Sequence, residues 1–220
     1  MIKGFQKKAK VGGSTNSTFL ALIPNEVNQV SFDRFRPISL CNFSYKIISK
    51  LLKNRIKPLL ENLISSNQGG FVKGRHILDN VALVQETIHS SLQHHEKGMI
   101  IKLDMVNTFD QVRHSFLLQV LSAFSFSSAF IRLIDSCIGE SWISPLVNGR
   151  PIGYFKASRG IRQGSLMSLL LHILMVDSLS QKLTTEKIKG TLPGIRAVGG
   201  TKPIKHSLFS NYSLLLEGAS

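Results

Sequence analysis

Cysteine is scarce in this sequence of 220 residues. Cys41 and Cys137 are the only two, and they lie far apart with no second cysteine at CxxC spacing. A disulfide framework or a zinc site needs more cysteines at closer spacing. The sequence therefore argues against both and predicts a reducing compartment.

The sequence also lacks a long apolar run. A membrane-spanning helix needs roughly 18 apolar residues, and the longest candidate, 166–176, is interrupted by Ser168 and His172. The basic segment 1–11 is not followed by the apolar core of a signal peptide. These absences predict a protein of the nucleus or cytoplasm with no membrane partner.

Acidic residues are few relative to basic ones. There are 13 Asp and Glu against 27 Lys and Arg, a net charge of +14. Such an excess favours polyanionic partners, nucleic acid before anionic membranes. A purely structural RNA-binding protein would have the same imbalance, so charge predicts a class of partner and not an activity.

The apolar periodicity predicts a mixture of helices and strands after a flexible basic lead-in at residues 1–18. The predicted strands are 18–23, 99–104, 142–147, 152–158, 206–209 and 213–216, with an extended segment at 32–40. The predicted helices are 43–57, 76–96, 113–124, 128–138 and 166–183. This mixture with hairpins favours an α+β fold over a doubly wound sheet.

The helix predicted after Asn42 is amphipathic. Its apolar face consists of Tyr45, Ile48, Leu52 and Ile56, and its other face of Lys46, Lys50, Lys53 and Lys57. The lysine stripe is either a contact for a nucleic-acid backbone or simply the solvated side of the helix.

The stretch 99–110 combines groups that suit chemistry. An apolar run broken only by Lys102 ends on Asp104, and Phe109 and Asp110 follow closely. A carboxylate at a strand end beside an apolar wall is a common way to hold a divalent metal. An aspartate that serves only the turn after the strand is the alternative, and the stretch alone does not decide between them.

Several segments, taken together, resemble one family, the reverse transcriptases of non-LTR retrotransposons, especially plant LINE-type elements. The matching segments read FRPISLCN at 35–42, NQGGFVKGR at 67–75 with LDN at 78–80, KLDM at 102–105 with FD at 109–110, and RGIRQG at 159–164. They occur in the family's order, and the resemblance covers roughly residues 19–220.

The resemblance implies a right-hand polymerase with fingers at about 19–95 and a palm at 96–220. The activity would be RNA-directed DNA synthesis with two Mg²⁺ ions, using an RNA template, a DNA primer and dNTP substrates. Oligomeric state is left open.

The resemblance also implies roles for individual residues. Asp104 would be the catalytic ligand of both metals, and Asp110 a support for local structure. The residues expected to bind the nucleotide are Arg36, Phe109 as the gate that excludes a ribose 2′-hydroxyl, Gln163 and Gly164. The cations expected at the nucleic-acid backbone are Lys73, Arg75 and Arg162.

The sequence departs from the family where the remaining metal ligands belong. The family has two adjacent aspartates in the last hairpin, and this chain reads FSNY at 209–212. Asn211 offers a neutral carbonyl, Tyr212 offers no carboxylate, and Glu217 is too far along the next strand to replace them. We expect impaired Mg²⁺ binding and an inactive polymerase site.

Two further departures agree with this expectation. The segment SLMSL at 165–169 lacks the two prolines usual in the family, and the sequence stops before the family's thumb. The sequence therefore predicts a truncated polymerase domain with the thumb absent. A non-catalytic RNA- or DNA-binding remnant, or a decayed fragment with no selected function, are the alternatives.

Overall fold

The computed structural model describes residues 11–28, 31, 34–93, 95, 98–105, 107–139, 141–190, 206–209 and 212–218. Its helices are α1 (Gly13–Asn16), α2 (Phe43–Ile56), α3 (Leu60–Leu63), α4 (Ile77–Gln93), α5 (Thr108–Gln111), α6 (His114–Ala123), α7 (Ser128–Ile138) and α8 (Ser168–Ile188). Its strands are β1 (Thr18–Pro24), β2 (Phe35–Cys41), β3 (Gly98–Asp104), β4 (Trp142–Val147), β5 (Arg150–Pro151), β6 (Phe155–Lys156), β7 (His206–Phe209) and β8 (Tyr212–Gly218). The predicted α+β class is confirmed.

The chain divides into two compact units. The first comprises Met1–Lys57 and Asn107–His172, and the second Pro58–Val106 and Ile173–Ser220. The boundary between fingers and palm near residue 95 stays a prediction.

The first unit contains a mixed sheet in the order β2-β1-β4-β5, with β6 also paired to β4. β1 runs antiparallel to β2 and parallel to β4. The predicted turn after β4 is present, with positive φ at Asn148 and Gly149 as a tight hairpin requires. Of the strand predicted at 152–158, only β6 (Phe155–Lys156) forms, and β5 forms before it, within the predicted turn. Gly153, between the two, also has a positive φ.

The predicted start of α2 is confirmed. The Asn42 side chain accepts a hydrogen bond from the Ser44 N–H at 2.9 Å, and the whole predicted apolar face of the helix is buried. The lead-in prediction is wrong over residues 11–17, because α1 forms there and Asn16 donates from Nδ2 to the Ser136 carbonyl at 3.0 Å. Residues 1–10 lie outside the described residues.

The second unit contains an antiparallel sheet in the order β3-β8-β7. The predicted hairpin is present, but β8 begins at Tyr212 and continues to Gly218, past the predicted 213–216. The hairpin turn at residues 210 and 211 lies outside the described residues.

Helix α4 buries an unexpected face. Its buried residues are Val84, Thr87, Ser90 and Ser91, whereas Leu78 and Leu92 are each 71% exposed. Helical spacing in the sequence predicts one apolar face of Ile77, Val81, Val84 and Ile88, but the structure leaves Ile77, Val81 and Ile88 exposed. Among the described residues, no helix has the length and apolarity needed to cross a membrane.

Candidate functional site

The loop 159–165 in the first unit is held from two sides. On one side, Ile161 N donates to the Phe109 carbonyl and Gly160 N to the Val112 carbonyl, both at 2.7 Å. On the other side, Ser39 N in β2 donates to the Gln163 carbonyl at 2.9 Å. These bonds place Gln163 between α5 and β2 in a defined position.

Two glycines make this close packing possible. Gly160 has a φ of +90°, and a Cβ there would lie 3.1 Å from the Asp110 carbonyl oxygen. Gly164 has a φ of +92°, and its Cβ would lie 3.4 Å from the Ser39 carbonyl oxygen. Both positions therefore favour glycine by conformation, and Gly160 also by space.

Phe109 is supported by an aromatic neighbour that the sequence did not reveal as a partner. Its ring centroid lies 4.9 Å from that of His172, with the ring planes tilted by 37°. His172 is buried, and it interrupts the otherwise apolar run 169–176 in α8. That interruption was the available signal, but it did not identify the contact.

Asp110 and Gln163 form a polar pair beside the loop. Gln163 Nε2 donates to Asp110 Oδ2 at 3.2 Å. Partial burial raises the pKa of the Asp110 carboxyl, and the bond from Gln163 offsets part of that rise. This contact agrees with the expectation that Asp110 supports local structure, and the expectation itself stays a prediction.

A cavity of about 320 Å³ opens beside this pair. Its lining includes Ser39, Asp110, Phe155, Lys156, Arg159 and Gln163. Pro37 also lines it, and because side chains alternate along a strand, Arg36 lies on the other face of β2. Arg36 is exposed there.

Arg162 is not at the surface, where a nucleic-acid backbone would meet it. Its exposed fraction is 8%, and Nη2 donates to the Asn16 backbone carbonyl and, at 2.7 Å, to Asn16 Oδ1. The guanidinium carbon lies 4.1 Å from the centroid of the Tyr45 ring. Burial raises the pKa of Tyr45 to about 12, and Arg162 opposes that rise. In this structure the guanidinium joins elements of the first unit, contrary to the predicted contact.

Arg75 in the second unit is likewise used within the protein. Its Nη1 donates to the Ser65 and Gln68 carbonyls at 2.5 and 2.9 Å, and its Nη2 to the Ile64 carbonyl at 2.9 Å. Three bonds to carbonyls hold the loop after α3. Lys73, by contrast, is exposed, as a contact with a nucleic-acid backbone requires.

The motif at 67–75 also holds β7. Leu208 N donates to the Asn67 carbonyl at 2.9 Å, and Gly69 N donates to the Leu208 carbonyl at 3.1 Å. Asn80 Nδ2 reaches the same Leu208 carbonyl at 3.2 Å. Residues that match the family motif therefore position the hairpin in this unit.

Asp104 is the exposed last residue of β3, and it pairs in register with Tyr212. Glu217 pairs with Met99, five residues along the sheet, which places its backbone about 17 Å from that of Tyr212. Asn211 lies outside the described residues. Within the described part of the chain, no group of three or more His, Cys, Asp or Glu is placed to hold a metal.

The donor set at this position does not fit two Mg²⁺ ions. Such a pair requires several anionic oxygens. Asp104 supplies one carboxylate, and the residues at 211 and 212 supply none by their identity.

The predicted site residues belong to both units. Arg36, Phe109, Arg162, Gln163 and Gly164 are in the first unit, and Lys73, Arg75 and Asp104 in the second. Within the first unit, the structure brings together Phe109, Gln163, Gly164 and β2. The predicted nucleotide and metal roles stay predictions.

Comparison with known proteins identifies related sequences over most of the chain. Residues 23–199 match the family described as reverse transcriptase (RNA-dependent DNA polymerase). The chain is 29% identical over 171 residues to the transposon TX1 uncharacterized 149 kDa protein of Xenopus laevis, covering 78% of this chain and 13% of that protein. It is 24% identical over 197 residues to the Pol polyprotein from the type-1 retrotransposable element R2 of Popillia japonica, covering 89% and 27%.

A solved structure has the same fold. Apo telomerase from Candida tropicalis, truncated from its C-terminal domain, superposes with a TM-score of 0.59 at 12% identity, covering 98% of this chain and 47% of that one. The chain thus spans less than half of each of these proteins. The family match covers more than half of this chain, and its relatives are non-LTR elements. The chain therefore belongs to the reverse transcriptase family.

Proposed function

We propose that this chain is the reverse transcriptase domain of a plant LINE-type element that has lost polymerisation. The observation that carries the proposal is the register of β3 and β8, in which Asp104 stands opposite Tyr212. Tyr212, with Asn211 before it, occupies the segment where the family has its paired aspartates. The plant assignment is supported by the motif sequences.

Loss of the carboxylates removes the metal chemistry of the family. Bound divalent metals activate the primer hydroxyl and stabilise the leaving pyrophosphate. Asn211 and Tyr212 cannot provide the anionic oxygens that this requires. We therefore assign no catalytic step to this site.

The residues expected to bind the nucleotide match the family better than the residues expected to bind the metals. We assign nucleotide binding to the set Arg36, Phe109, Gln163 and Gly164. His172 supports Phe109, and Gln163 is held because its carbonyl accepts from Ser39 N in β2 and its Nε2 donates to Asp110. Lys73 would contact the backbone of the RNA template or the DNA primer. We also assign residues 19–95 to the fingers and residues 96–220 to the palm.

Primer extension on a primed RNA template tests the loss of activity. We expect no incorporation of dNTP with either Mg²⁺ or Mn²⁺, because two of the three carboxylates are absent. Template-dependent incorporation that Asp104→Ala abolishes would show that the site still works.

Metal binding tests the cause of the loss separately from activity. The double substitution Asn211→Asp with Tyr212→Asp adds two carboxylates to that of Asp104, and we expect it to bind Mn²⁺ at least about tenfold more tightly in a titration followed by electron paramagnetic resonance. The matched control is Asn148→Asp with Tyr154→Asp, which makes the same changes at the hairpin after β4, where both residues are exposed. Equal gains in both double variants would contradict a specific metal site.

Binding without catalysis is the second candidate function. It is supported by the excess of 27 basic over 13 acidic residues. We expect the chain to retain RNA or DNA at low salt, with an affinity that falls steeply as salt rises and little sequence preference. Failure to retain either nucleic acid at low salt would remove this candidate.

A further inference from the structure

The exposed side of α2 and its continuation carries positive charge without neighbouring acids in sequence. Lys46, Lys50, Arg55 and Lys57 are exposed, and Lys53 is partly exposed. No Asp or Glu occurs from residue 34 to residue 60. We call the row of Lys46, Lys50, Lys53 and Lys57 the lysine row.

Two lysines at the end of α8 provide a contrast within the same protein. Lys182, in the helix, and Lys189, which directly follows it, place their Nζ atoms 3.3 and 3.1 Å from Glu186 Oε1. Lys46, Lys50 and Lys53 have no carboxylate at the i±3 or i±4 positions that could neutralise them in this way, whereas Lys57 has Glu61 at i+4. The charge of the first three is therefore available to an external anion.

The lysine row has the length of a short stretch of nucleic acid. Its spacings of four, three and four residues keep the side chains on one face of a helix. Eleven residues at 1.5 Å each extend about 16 Å. At about 3.4 Å per charge along one strand, the row faces about five phosphates.

An exposed aromatic side chain accompanies the lysine row. Phe43, one turn before Lys46, is 76% exposed. An exposed aromatic ring beside cations suits a single strand, because its unpaired bases can stack on the ring while its phosphates meet the lysines.

An anionic membrane is a poorer fit. Membrane-surface helices insert their apolar face between lipids. The apolar face of α2, which contains Tyr45, Ile48 and Leu52, is buried inside the protein and is not available for insertion.

We propose that the lysine row and Phe43 form a binding surface for single-stranded RNA, with the lysines on the phosphates and Phe43 stacked on a base. The choice of RNA rests on the proposed function. The surface contains none of the residues assigned to the nucleotide or the metal. Its test is therefore independent of whether the polymerase site works.

The test measures binding of the full chain to a labelled oligouridylate of about 15 nucleotides across a salt series. The variant Lys46→Gln with Lys50→Gln removes two exposed charges. We expect the slope of log affinity against log salt to become shallower by about 1.4, with binding at least about tenfold weaker at low salt. Lys182→Gln with Lys189→Gln removes the same charge from the paired lysines at the end of α8, and we expect only a small change.

Phe43→Ala separates stacking from charge. We expect affinity to fall at least about fivefold with the salt slope unchanged. Thermal melting of each variant establishes that it is folded.

Three results would overturn the proposal: equal losses in the α2 and α8 double variants, an unchanged slope in the α2 variant, or a loss seen with single-stranded DNA and not with RNA. A loss of binding to phosphatidylserine vesicles with RNA binding intact would assign the surface to membranes instead. None of these results depends on primer extension, so this proposal and the proposed function can fail separately.

Discussion

The loop 159–165 and the β7–β8 hairpin both lie at motif positions of the family. They differ in how strongly the fold depends on the side chains at those positions. In the loop, Gln163 is hydrogen-bonded to β2 and to Asp110. Gly160 and Gly164 have positive φ angles and lie close to neighbouring backbone atoms. In the hairpin, strand pairing continues through Tyr212 although the family has an aspartate there. Backbone pairing does not require a carboxylate, so the metal ligands can be lost while the sheet persists.

This difference explains how a chain can keep the fold of the family while residues 211 and 212 carry no carboxylate. We expect substitution in the loop to disturb packing, and substitution of Asp104, which pairs with Tyr212 of the hairpin, to remove only charge. The variants below test this contrast, from the largest expected change in stability to the smallest.

Gly160→Ala should cause the largest loss, about 2–4 kcal/mol of unfolding free energy, because a Cβ at φ +90° is strained and also approaches the Asp110 carbonyl. The measurement is denaturant unfolding. The control is Gly153→Ala, with a φ of +62° and no atom near its added Cβ, which should cost only the conformational strain, about 1 kcal/mol. Equal losses would mean that close packing at Gly160 contributes nothing.

Arg162→Met should destabilise the protein by about 1.5–3 kcal/mol, because the bonds from the guanidinium to Asn16 are lost in a buried position. The salt dependence of RNA binding should not change in the fraction that remains folded. Arg159→Met is the control, since Arg159 is exposed in the same loop. If the Arg162 variant is stable and its RNA binding has a shallower salt slope, the result supports the predicted contact of Arg162 with nucleic acid.

Local signals in the sequence predicted most of the elements. The Asn42 cap, the helix at 128–138 and the strand at 142–147 all match, because capping and periodicity are properties of neighbouring residues. The family motifs predicted the fold for a different reason, since several segments agreed in order.

Side-chain surroundings were harder to predict. Spacing identifies an apolar row on α4, but the elements that pack against the helix decide which face is buried, and here they bury Thr87 and Ser91. Arg75 and Arg162 looked like surface cations because a sequence does not show which carbonyls a guanidinium will reach. The contact of His172 with Phe109 joins residues far apart in sequence and was missed for the same reason.

Asp110→Asn should have a smaller effect that depends on pH. Partial burial raises the pKa of Asp110 above 3.8, so the folded protein keeps this proton at a pH where the unfolded chain has lost it. The stabilisation from that proton is complete below the unfolded value and is lost as pH rises through the folded value.

Because asparagine does not titrate and can still accept from Gln163, the variant should be slightly more stable than the unmodified protein near pH 7. That advantage should shrink as the pH falls towards about 4. Thermal melting at the two pH values measures it. An advantage that grows on acidification would show that the carboxylate is stabilised as the anion.

Asp104→Ala should have the smallest effect on stability, below about 0.5 kcal/mol, because the side chain is exposed at the end of β3. If Asp104 organised the following turn, its truncation to alanine would instead lower the unfolding free energy by about 1 kcal/mol. Denaturant unfolding of Asp104→Ala beside Asp104→Asn separates these cases, since asparagine keeps the turn chemistry and removes the charge. If both variants are as stable as the unmodified protein, the carboxylate has no structural duty, and its presence at the strand end is explained by the metal site of the family. If only the alanine variant loses stability, the fold requires the turn chemistry of Asp104, as it requires Gly160 in the loop 159–165.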